Sequence, residues 1–424
     1  MHDRWLRAHW VLFGVVSASF FLDGVLFSLI PATIYLVEDL AANASLIFFV
    51  GSLAFMAGAL LFGRVTDFLG RRVGLVVTLA VYTMGAAAFA AAYWLGRLDL
   101  ATALALTSLI NLGVGGEVGP AYAALAELSP PGVRGRALML AANFWNIGAA
   151  IIAVASLWYK EIAGDPSTAV LYTFLTAVAL AAVVFVARLH LPESPRWLAA
   201  RGRRAEAEAL ATRLLGVAEV DPADVSIGLG EAVRRYFFRL GVLVVATATQ
   251  LVTYNIAAYY SPYASGFAFG QESAPLVIAV ANLGASVGAF LLLPIIDKTR
   301  RLALLASYAG GLATALALAV AHGGGFVAYL TVLFVNLVFS EWAWASLSVL
   351  ESELFPTGVR SSVVGLVTAS AWLVNAFAVF TEGVLTAWQF LALDAVLWGL
   401  GLAAASAWAF RGVESAGRRL EELI

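Results

Sequence analysis

Twelve apolar runs, each of roughly 20 residues, constrain the fold of this chain more than any other feature of its sequence. A run of that length crosses the ~30 Å hydrocarbon core of a bilayer as a helix. The chain is 62% hydrophobic and 12% charged, which leaves too little polar surface to cover a water-soluble protein of 424 residues. The runs are continuous rather than alternating, which excludes a membrane β-barrel. The sequence therefore predicts an all-α membrane protein with twelve transmembrane helices.

The chain also repeats itself on either side of one long polar segment near its middle. ELSPPGVR at residues 127–134 returns as ELFPTGVR at 353–360, and Asp67 before two arginines returns as Asp297. Two similar halves predict two pseudo-symmetric six-helix bundles joined by a short cytoplasmic helical segment. The predicted boundaries are 1–190 for the N-terminal bundle, 191–236 for the linker, and 237–424 for the C-terminal bundle with a short cytoplasmic tail.

The expected helices follow the apolar runs. They cover residues 9–37, 43–64, 73–96, 100–127, 137–159, 169–189, 237–263, 273–296, 301–321, 326–353, 363–386 and 388–410. In the linker, Ser194 or Pro195 should begin a surface helix, and residues 205–215 carry apolar side chains at helical spacing.

The distribution of positive charge predicts the orientation. Of the 25 Lys and Arg residues, only Arg97 and Lys160 fall in loops on one side of the predicted membrane. Cytoplasmic loops carry the excess of basic residues in membrane proteins. We therefore expect a multi-pass protein of the plasma membrane, with both termini and the linker in the cytoplasm.

Several classes of protein chemistry find no support in the sequence. Cysteine is absent, which excludes disulfides, thiolate catalysis and cysteine metal sites. No G-x-x-x-x-G-K-[ST] phosphate-binding loop occurs, and no nucleophile–base set or metal cluster is recognisable. We therefore expect no enzyme activity, no cofactor, no metal and no nucleic-acid partner.

Two carboxylates fall inside the predicted membrane spans. Asp23 lies near the middle of helix 1 and Glu117 lies in helix 4, within NLGVGGE at residues 111–117. A charged carboxylate at that depth costs several kcal/mol, so it should face a cavity or hold a proton. Proton coupling requires a carboxylate whose ionised form is strongly destabilised in one conformation and tolerated in another. Both residues are therefore candidate proton carriers.

The segment after helix 2 carries a recognisable motif. GRVTDFLGRR, at residues 63–72, resembles the G-x-x-x-D-[RK]-x-G-[RK]-[RK] loop of the major facilitator superfamily of transporters. Its glycines permit close helix approach and a tight turn, and Asp67 could pair with arginines and cap a neighbouring helix. Phe68 departs from the usual basic residue. The superfamily often has an arginine before the helix-4 glycines, where this chain has Thr107.

Further motifs resemble the sugar-porter branch of that superfamily. They are ELSPPGVRG at 127–135, PESPR at 192–196, QLVTYNIAAYYSP at 250–262, ELFPTGVR at 353–360 and VESAGRRLEEL at 413–423. The resemblance implies that cytoplasmic acidic, basic and glycine residues control the conformational change. These gating candidates are Gly63, Asp67, Gly70, Arg71, Arg72, Glu127, Arg134, Glu193, Arg196, Asp297, Arg300, Glu353, Arg360 and Glu414.

Helix 7 is the first candidate for substrate binding. Gln250 and Asn255 offer amide groups, and Tyr254 an aromatic ring, which suit a polyhydroxylated ligand; the alternative is polar contact between helices. The resemblance extends the set of substrate-binding candidates to Gln250, Asn255, Tyr254, Tyr259, Asn143, Trp145, Trp342, Trp344, Trp372 and Asn375. Thr249, Ala142 and Ala343 are shorter than their family counterparts. Glu341 and Asp394 are further membrane carboxylates without an assigned role.

These features together predict a secondary transporter, expected to be a monomer, for proton-coupled symport of a sugar or small polyol by alternating access. The rival substrate is an organic or aromatic acid or phosphate. An anion should require a buried Arg or Lys, and no mid-helix position supplies one. A nutrient receptor that binds without transport is a further alternative.

Overall fold

A computed structural model describes residues 5–189, 191–215 and 227–424, and within these ranges the chain is helical. Twelve of its helices are long and apolar enough to cross a membrane, which confirms the predicted fold class. We label them α1 (Arg7–Thr33), α2 (Ala44–Leu69), α3 (Arg71–Trp94), α4 (Leu100–Leu128), α5 (Arg134–Ala163), α6 (Pro166–Arg188), α7 (Phe237–Asn255), α8 (Ala274–Ile296), α9 (Arg300–Ala321), α10 (Phe326–Glu353), α11 (Arg360–Glu382) and α12 (Ala387–Arg411).

The junction of α2 and α3 differs from the prediction of a loop over residues 63–72. The helix continues to Leu69, and Gly70 alone separates it from α3, which begins at Arg71. Gly70 has a φ of +105°, a region that residues with a side chain rarely adopt. The motif therefore forms the end of one helix and the start of the next, with one glycine turning the chain between them.

Helix α7 also differs from the single helix predicted over 237–263. The α-helical part ends at Asn255 and continues as a π-helical turn, Ile256–Tyr260, and a 3₁₀ turn, Ser261–Tyr263. π-helical turns inside spanning helices often occur at functional sites. Here the turn begins immediately after Asn255, a candidate for substrate binding.

The two bundles meet along two equivalent seams. Within the N-terminal bundle α1 packs on α5, and α4 packs on both α2 and α3. In the other bundle the main pairs are α8–α10, α9–α10, α9–α12, α7–α11 and α7–α12. Across the interface α2 packs on α11 and α5 packs on α8, which are corresponding pairs in the two halves. A Cβ at Gly365 of α11 would lie 2.5 Å from the carbonyl oxygen of Ala59 in α2. This close approach requires glycine.

Three short helices lie between α6 and α7: Pro195–Ala200, Arg204–Leu215 and Leu229–Arg235. The Oγ of Ser194 accepts a hydrogen bond from the backbone N–H of Trp197, so Ser194 caps the first of them, as predicted. Residues 216–226 of the predicted linker lie outside the described residues.

Candidate functional site

A cavity of about 60 Å³ lies between the two bundles. Seven of its fifteen lining side chains are aromatic, and three amides and one carboxyl group are among its polar groups. The lining residues are Phe20, Phe55, Val118, Tyr122, Ala142, Trp145, Asn146, Gln250, Leu251, Tyr254, Asn255, Glu341, Trp344, Thr368 and Trp372.

Helix α7 supplies two amides to the cavity. The Nε2 of Gln250 donates to the carbonyl oxygen and Oγ of Ser340, at 3.2 and 3.1 Å. The Nδ2 of Asn255 donates to Asn375 Oδ1 at 3.2 Å. Within the described chain, Gln250 Oε1 and Asn255 Oδ1 are buried and have no hydrogen-bond partner. These two oxygens are therefore available to hydroxyl or N–H donors of a ligand.

Glu341 of α10 also lines the cavity and is 4% exposed. Its Oε2 accepts a hydrogen bond of 2.8 Å from Nδ2 of Asn146 in α5, a contact that crosses the two bundles. Its Oε1 has no hydrogen-bond partner among the described residues. Asn146 and Tyr122 were absent from the sequence-based candidates, because no motif distinguishes them from ordinary interior residues.

The structure brings six of the ten predicted substrate residues to the cavity lining: Gln250, Asn255, Tyr254, Trp145, Trp344 and Trp372. The other four lie outside it. Tyr259 contacts Ser28 and Asn282, and Asn143 donates to Ser286. Asn375 donates to Ser52 and Tyr260, and the indole N–H of Trp342 donates to Gly288 O at 2.8 Å. The four therefore contact neighbouring helices, and Trp342 faces α8.

A second polar cluster lies inside the N-terminal bundle. Glu117 forms a fully buried ion pair with Arg188 at the end of α6 and accepts from Thr78 Oγ1 at 3.3 Å. The guanidinium of Arg188 also donates to Ser19 Oγ at 2.8 Å and Tyr82 OH at 3.0 Å. Four helices, α1, α3, α4 and α6, thus meet at one cation.

Asp23 lies beside this ion pair. It is 0% exposed, its charged neighbours are Glu117 and Arg188, and neither of its carboxylate oxygens has a hydrogen-bond partner in the described part of the chain. Phe20, on the same helix, lines the central cavity. Helix α1 therefore connects the proton-carrier candidate to the cavity.

The sequence analysis found no Arg or Lys in the middle of a predicted helix, and it did not identify the buried cation that lies beside the membrane carboxylates at a helix end. Arg188 is 0% exposed and reaches Glu117 from α6, whereas the superfamily arginine expected in α4 is Thr107 here. The burial of Arg188 could not be predicted from the sequence, because Arg188 is the last residue of its helix, where a basic side chain usually reaches the aqueous interface.

The gating candidates cluster at the helix ends nearest the linker. Glu127 of α4 accepts from Arg71 at 2.8 Å and from Arg360 of α11 at 3.2 Å. In the corresponding position, Glu353 of α10 accepts from Arg300 at 3.2 Å and pairs with Arg134 of α5 at 3.4 Å. The contacts of Arg360 and Arg134 join the two bundles, so both close this side of the protein.

Two aspartates extend this closure to helix N-termini. Asp67 Oδ1 pairs with Arg71 at 3.0 Å, and its Oδ2 accepts from Ser362 N and Oγ at 2.7 and 2.6 Å, at the start of α11. Asp297 pairs with Arg136 and accepts from its backbone N–H at 3.3 Å, at the start of α5. Each aspartate therefore caps a helix of the opposite bundle.

Two glutamates cap helices of their own bundle. Glu193 accepts from the backbone N–H groups of Arg71 and Arg72, and Glu414 accepts from those of Arg300 and Arg301. Burial raises the pKa of Glu193. Burial also acts to raise the pKa of Glu414, but its backbone hydrogen bonds and that from Thr299 outweigh burial and lower it.

The remaining gating candidates lie within the same region. A Cβ at Gly63 would lie 2.9 Å from Ser361 O, across the α2–α11 seam. Gly70 lies against the carboxylate of Glu193, and Arg196 is a charged neighbour of Arg134.

The side of the cavity farthest from the linker is closed as well. Tyr263 OH donates to the carbonyl oxygen of Pro31 at 2.6 Å, and Ser45 donates to Glu382. Both contacts join the N-terminal and C-terminal bundles. Closure on both sides makes this conformation occluded, with the cavity enclosed between two sets of inter-bundle contacts.

Comparison with known proteins agrees with this geometry. The family described as sugar (and other) transporter matches residues 33–423. The D-xylose-proton symporter of Escherichia coli (strain K12) is 28% identical over 295 residues, which cover 64% of this chain and 59% of the symporter. A quinate permease of Neurospora terricola is 33% identical over 150 residues, covering 35% and 28% of the two chains. The structure of the proton:xylose symporter XylE bound to 6-bromo-6-deoxy-D-glucose matches with a TM-score of 0.81 at 19% identity, covering 98% of both chains. This chain is a member of the sugar (and other) transporter family and has the major facilitator fold.

Proposed function

We propose that this protein is a secondary active transporter that couples the uptake of a sugar or similar small polyol to protons by alternating access. The observation that carries the proposal is the enclosed cavity between the two bundles. Rigid bundles that rock about a site at their interface expose it to one side at a time. Inter-bundle contacts above and below the cavity are the ones that such rocking would break.

The cavity lining supports a polyhydroxylated ligand. Gln250 Oε1, Asn255 Oδ1 and Glu341 Oε1 are unpartnered acceptors, which hydroxyl groups would satisfy. Trp372 stacks on Phe55 at 4.0 Å between ring centroids and gives the cavity a flat apolar wall. Such a wall suits the C–H face of a sugar ring. The name of the D-xylose-proton symporter agrees with this ligand class.

Asp23 is the proposed proton carrier, and Glu117 its charged neighbour. With Asp23 protonated, the cluster of Asp23, Glu117 and Arg188 is neutral overall and tolerates complete burial. With Asp23 ionised, two carboxylates share one cation, which disfavours the closed state and favours opening to the outside. Binding of a proton to Asp23 would therefore permit closure around the substrate.

Uptake into proteoliposomes under an imposed pH gradient tests this proposal. Wild-type protein should accumulate D-xylose or another neutral sugar against its gradient, and Asp23→Asn should equilibrate the sugar without accumulation. Asp394→Asn is the matched control, since Asp394 is also 0% exposed and lacks hydrogen-bond partners among the described residues but lies in α12. Accumulation by Asp23→Asn would reject the proton assignment.

An organic acid is the second candidate substrate, supported by the partial match to quinate permease. If quinate or another acid is taken up and no neutral sugar is, the transporter class stands and the substrate class changes. Binding of a sugar without any uptake would instead support a nutrient receptor.

Six further features complete the proposal. The protein acts as a monomer in the plasma membrane, with both termini in the cytoplasm and no enzyme activity. Its functional units are residues 1–190, 191–236 and 237–424. The substrate-binding set remains the ten predicted residues, of which Tyr259, Asn143, Asn375 and Trp342 would act through their neighbours.

A further inference from the structure

The amide side chains that line the central cavity offer acceptors to a ligand but few donors. The amide nitrogens of Gln250, Asn255 and Asn146 each donate to another group of the protein. The indole N–H of Trp344 is likewise used, since it donates to Tyr122 OH at 3.0 Å. What these side chains leave unpaired are the oxygens of Gln250, Asn255 and Glu341.

The contacts themselves fix which end of two amides faces the ligand. Gln250 Nε2 lies against a backbone carbonyl oxygen, which accepts and never donates. Asn146 Nδ2 lies against a carboxylate, so that nitrogen must also be the donor. Reversing either amide would place two acceptors together. The orientation of these two amides is therefore set by the atoms around them and is not an arbitrary choice between nitrogen and oxygen.

Glu341 is the one charged residue of the lining, and no Lys, Arg or His lines the cavity among the residues that the structure describes. Its carboxylate is 4% exposed and has a single neutral donor, Asn146. A carboxylate buried at membrane depth without a cation is costly. Either a bound proton or a ligand that brings its own positive charge removes that cost.

The aromatic lining favours the same kind of ligand. Seven rings surround the cavity, and Tyr122, Trp145, Tyr254, Trp344 and Trp372 are among them. Faces of Trp and Tyr attract a cation within about 6 Å of the ring centroid. An ammonium group has three donors and no acceptor, which matches a lining with unpaired acceptors.

We propose that the substrate is an amino sugar or amino polyol, whose protonated amine binds the free oxygen of Glu341. This inference rests on the proposed function for the sugar part of the ligand and adds the charged group. A neutral sugar would satisfy the amide oxygens but leave the carboxylate without a cation. An organic acid would bring a second negative charge to the same enclosed space.

Matched pairs of ligands test the inference on the purified full-length protein. The pairs are D-glucose with D-glucosamine, D-galactose with D-galactosamine and D-mannose with D-mannosamine, and N-acetyl-D-glucosamine is the uncharged control. Binding is measured by the shift of the thermal midpoint with ligand concentration. The amine of at least one pair should bind about tenfold to hundredfold more tightly than its parent, and acetylation should abolish that advantage.

Glu341→Gln should lower the affinity for the amine far more than the affinity for its neutral parent sugar, and so remove the advantage of the amine. Glu351→Gln is the matched control, since Glu351 lies on the same helix, is 4% exposed and bonds to Thr247 outside the cavity. Glu341→Asp retains the charge and should retain part of the advantage, which separates loss of charge from misfolding.

Each outcome decides between the two proposals. Parent sugars that bind as tightly as their amines overturn this inference, and the proposed function stands if they are accumulated. An amine advantage that survives Glu341→Gln also overturns it. Amino sugars that bind through Glu341 but are never transported support the inference and reject the transport function. Failure of every pair to bind rejects both.

Discussion

Replacing Asp67 by Asn should open the cytoplasmic side of the protein. Asp67 Oδ2 accepts two hydrogen bonds, of 2.7 and 2.6 Å, from Ser362 in the first turn of α11, in the opposite bundle. Its Oδ1 pairs with Arg71 of its own bundle at 3.0 Å and keeps that partner when the bundles separate. The bonds to Ser362 therefore stabilise only the conformations that are closed on the cytoplasmic side.

The magnitude follows from the loss of charge. A hydrogen bond to a charged group contributes about 1 kcal/mol more than a neutral one, and two such bonds cross the interface here. The negative charge at the α11 N-terminus adds roughly 0.3–1 kcal/mol. Asp67 is 8% exposed, so solvent screens little of this. The total of about 2–3 kcal/mol corresponds to a shift of about 30- to 150-fold toward the open form.

Distance measurements between two spin labels can detect this shift. The chain contains no cysteine, so labels attach only at introduced positions. Val73→Cys in α3 and Leu302→Cys in α9 are 42% and 63% exposed, near the cytoplasmic ends of opposite bundles. Asp67→Asn should increase the population of longer distances between the two labels.

Asp165→Asn provides the matched control for this measurement. Asp165 caps α6 of its own bundle by accepting from Thr168 N at 2.8 Å on the outer side, so its replacement should leave the distances unchanged. An Asp67→Asn distribution identical to the wild type would refute the reasoning. An equal shift in Asp165→Asn would show that the label distances do not report on the inter-bundle contact.

Three further predictions follow from single contacts. The pKa of Glu414 is lowered from its usual 4.5, so wild type should be more stable than Glu414→Gln above that pH, and the difference should vanish as pH falls through the lowered pKa in thermal-unfolding scans. Arg188→Met should lower the free energy of unfolding in detergent by about 3–5 kcal/mol, because it leaves the buried Glu117 without a cation. Adding Glu117→Gln should restore much of that stability. Gly365→Ala should impede closure of the α2–α11 seam in labelling experiments, whereas Gly399→Ala, with open space around it, should be neutral.

The spanning helices and the cytoplasmic motif were predictable because each leaves a local pattern. A run of about 20 apolar residues predicts a spanning helix whatever it packs against, and Glu127 and Glu353 occupy the same place in two matching motifs.

The direction in which a single side chain points was less predictable. Trp342 and Trp344 are two residues apart on one helix, and only Trp344 reaches the cavity, because helical rotation places them on different faces.

Arg188 and Asn146 were not predictable for a different reason. Their roles depend on partners 71 and 195 residues away, Glu117 and Glu341 respectively, which no spacing rule connects. Glu341 itself was visible as a membrane carboxylate. Its position in the cavity lining, beside amides whose donors are already used, depends on how two bundles meet.

The two sides of the cavity are closed by different chemistry. On the cytoplasmic side, Glu127, Glu353, Asp67 and Asp297 all bind charged groups or helix N-termini of the opposite bundle, directly or through a shared arginine. The outer contacts described above contain no ion pair: Tyr263 bonds to a backbone carbonyl, and Ser45 bonds to the carboxyl group of Glu382. Hydrogen bonds to charged groups contribute roughly twice as much as neutral ones. The occluded conformation should therefore open more readily to the outside, and the substrate should enter from that side. The cytoplasmic contacts should break only when substrate binding and protonation supply the additional free energy that breaking them requires.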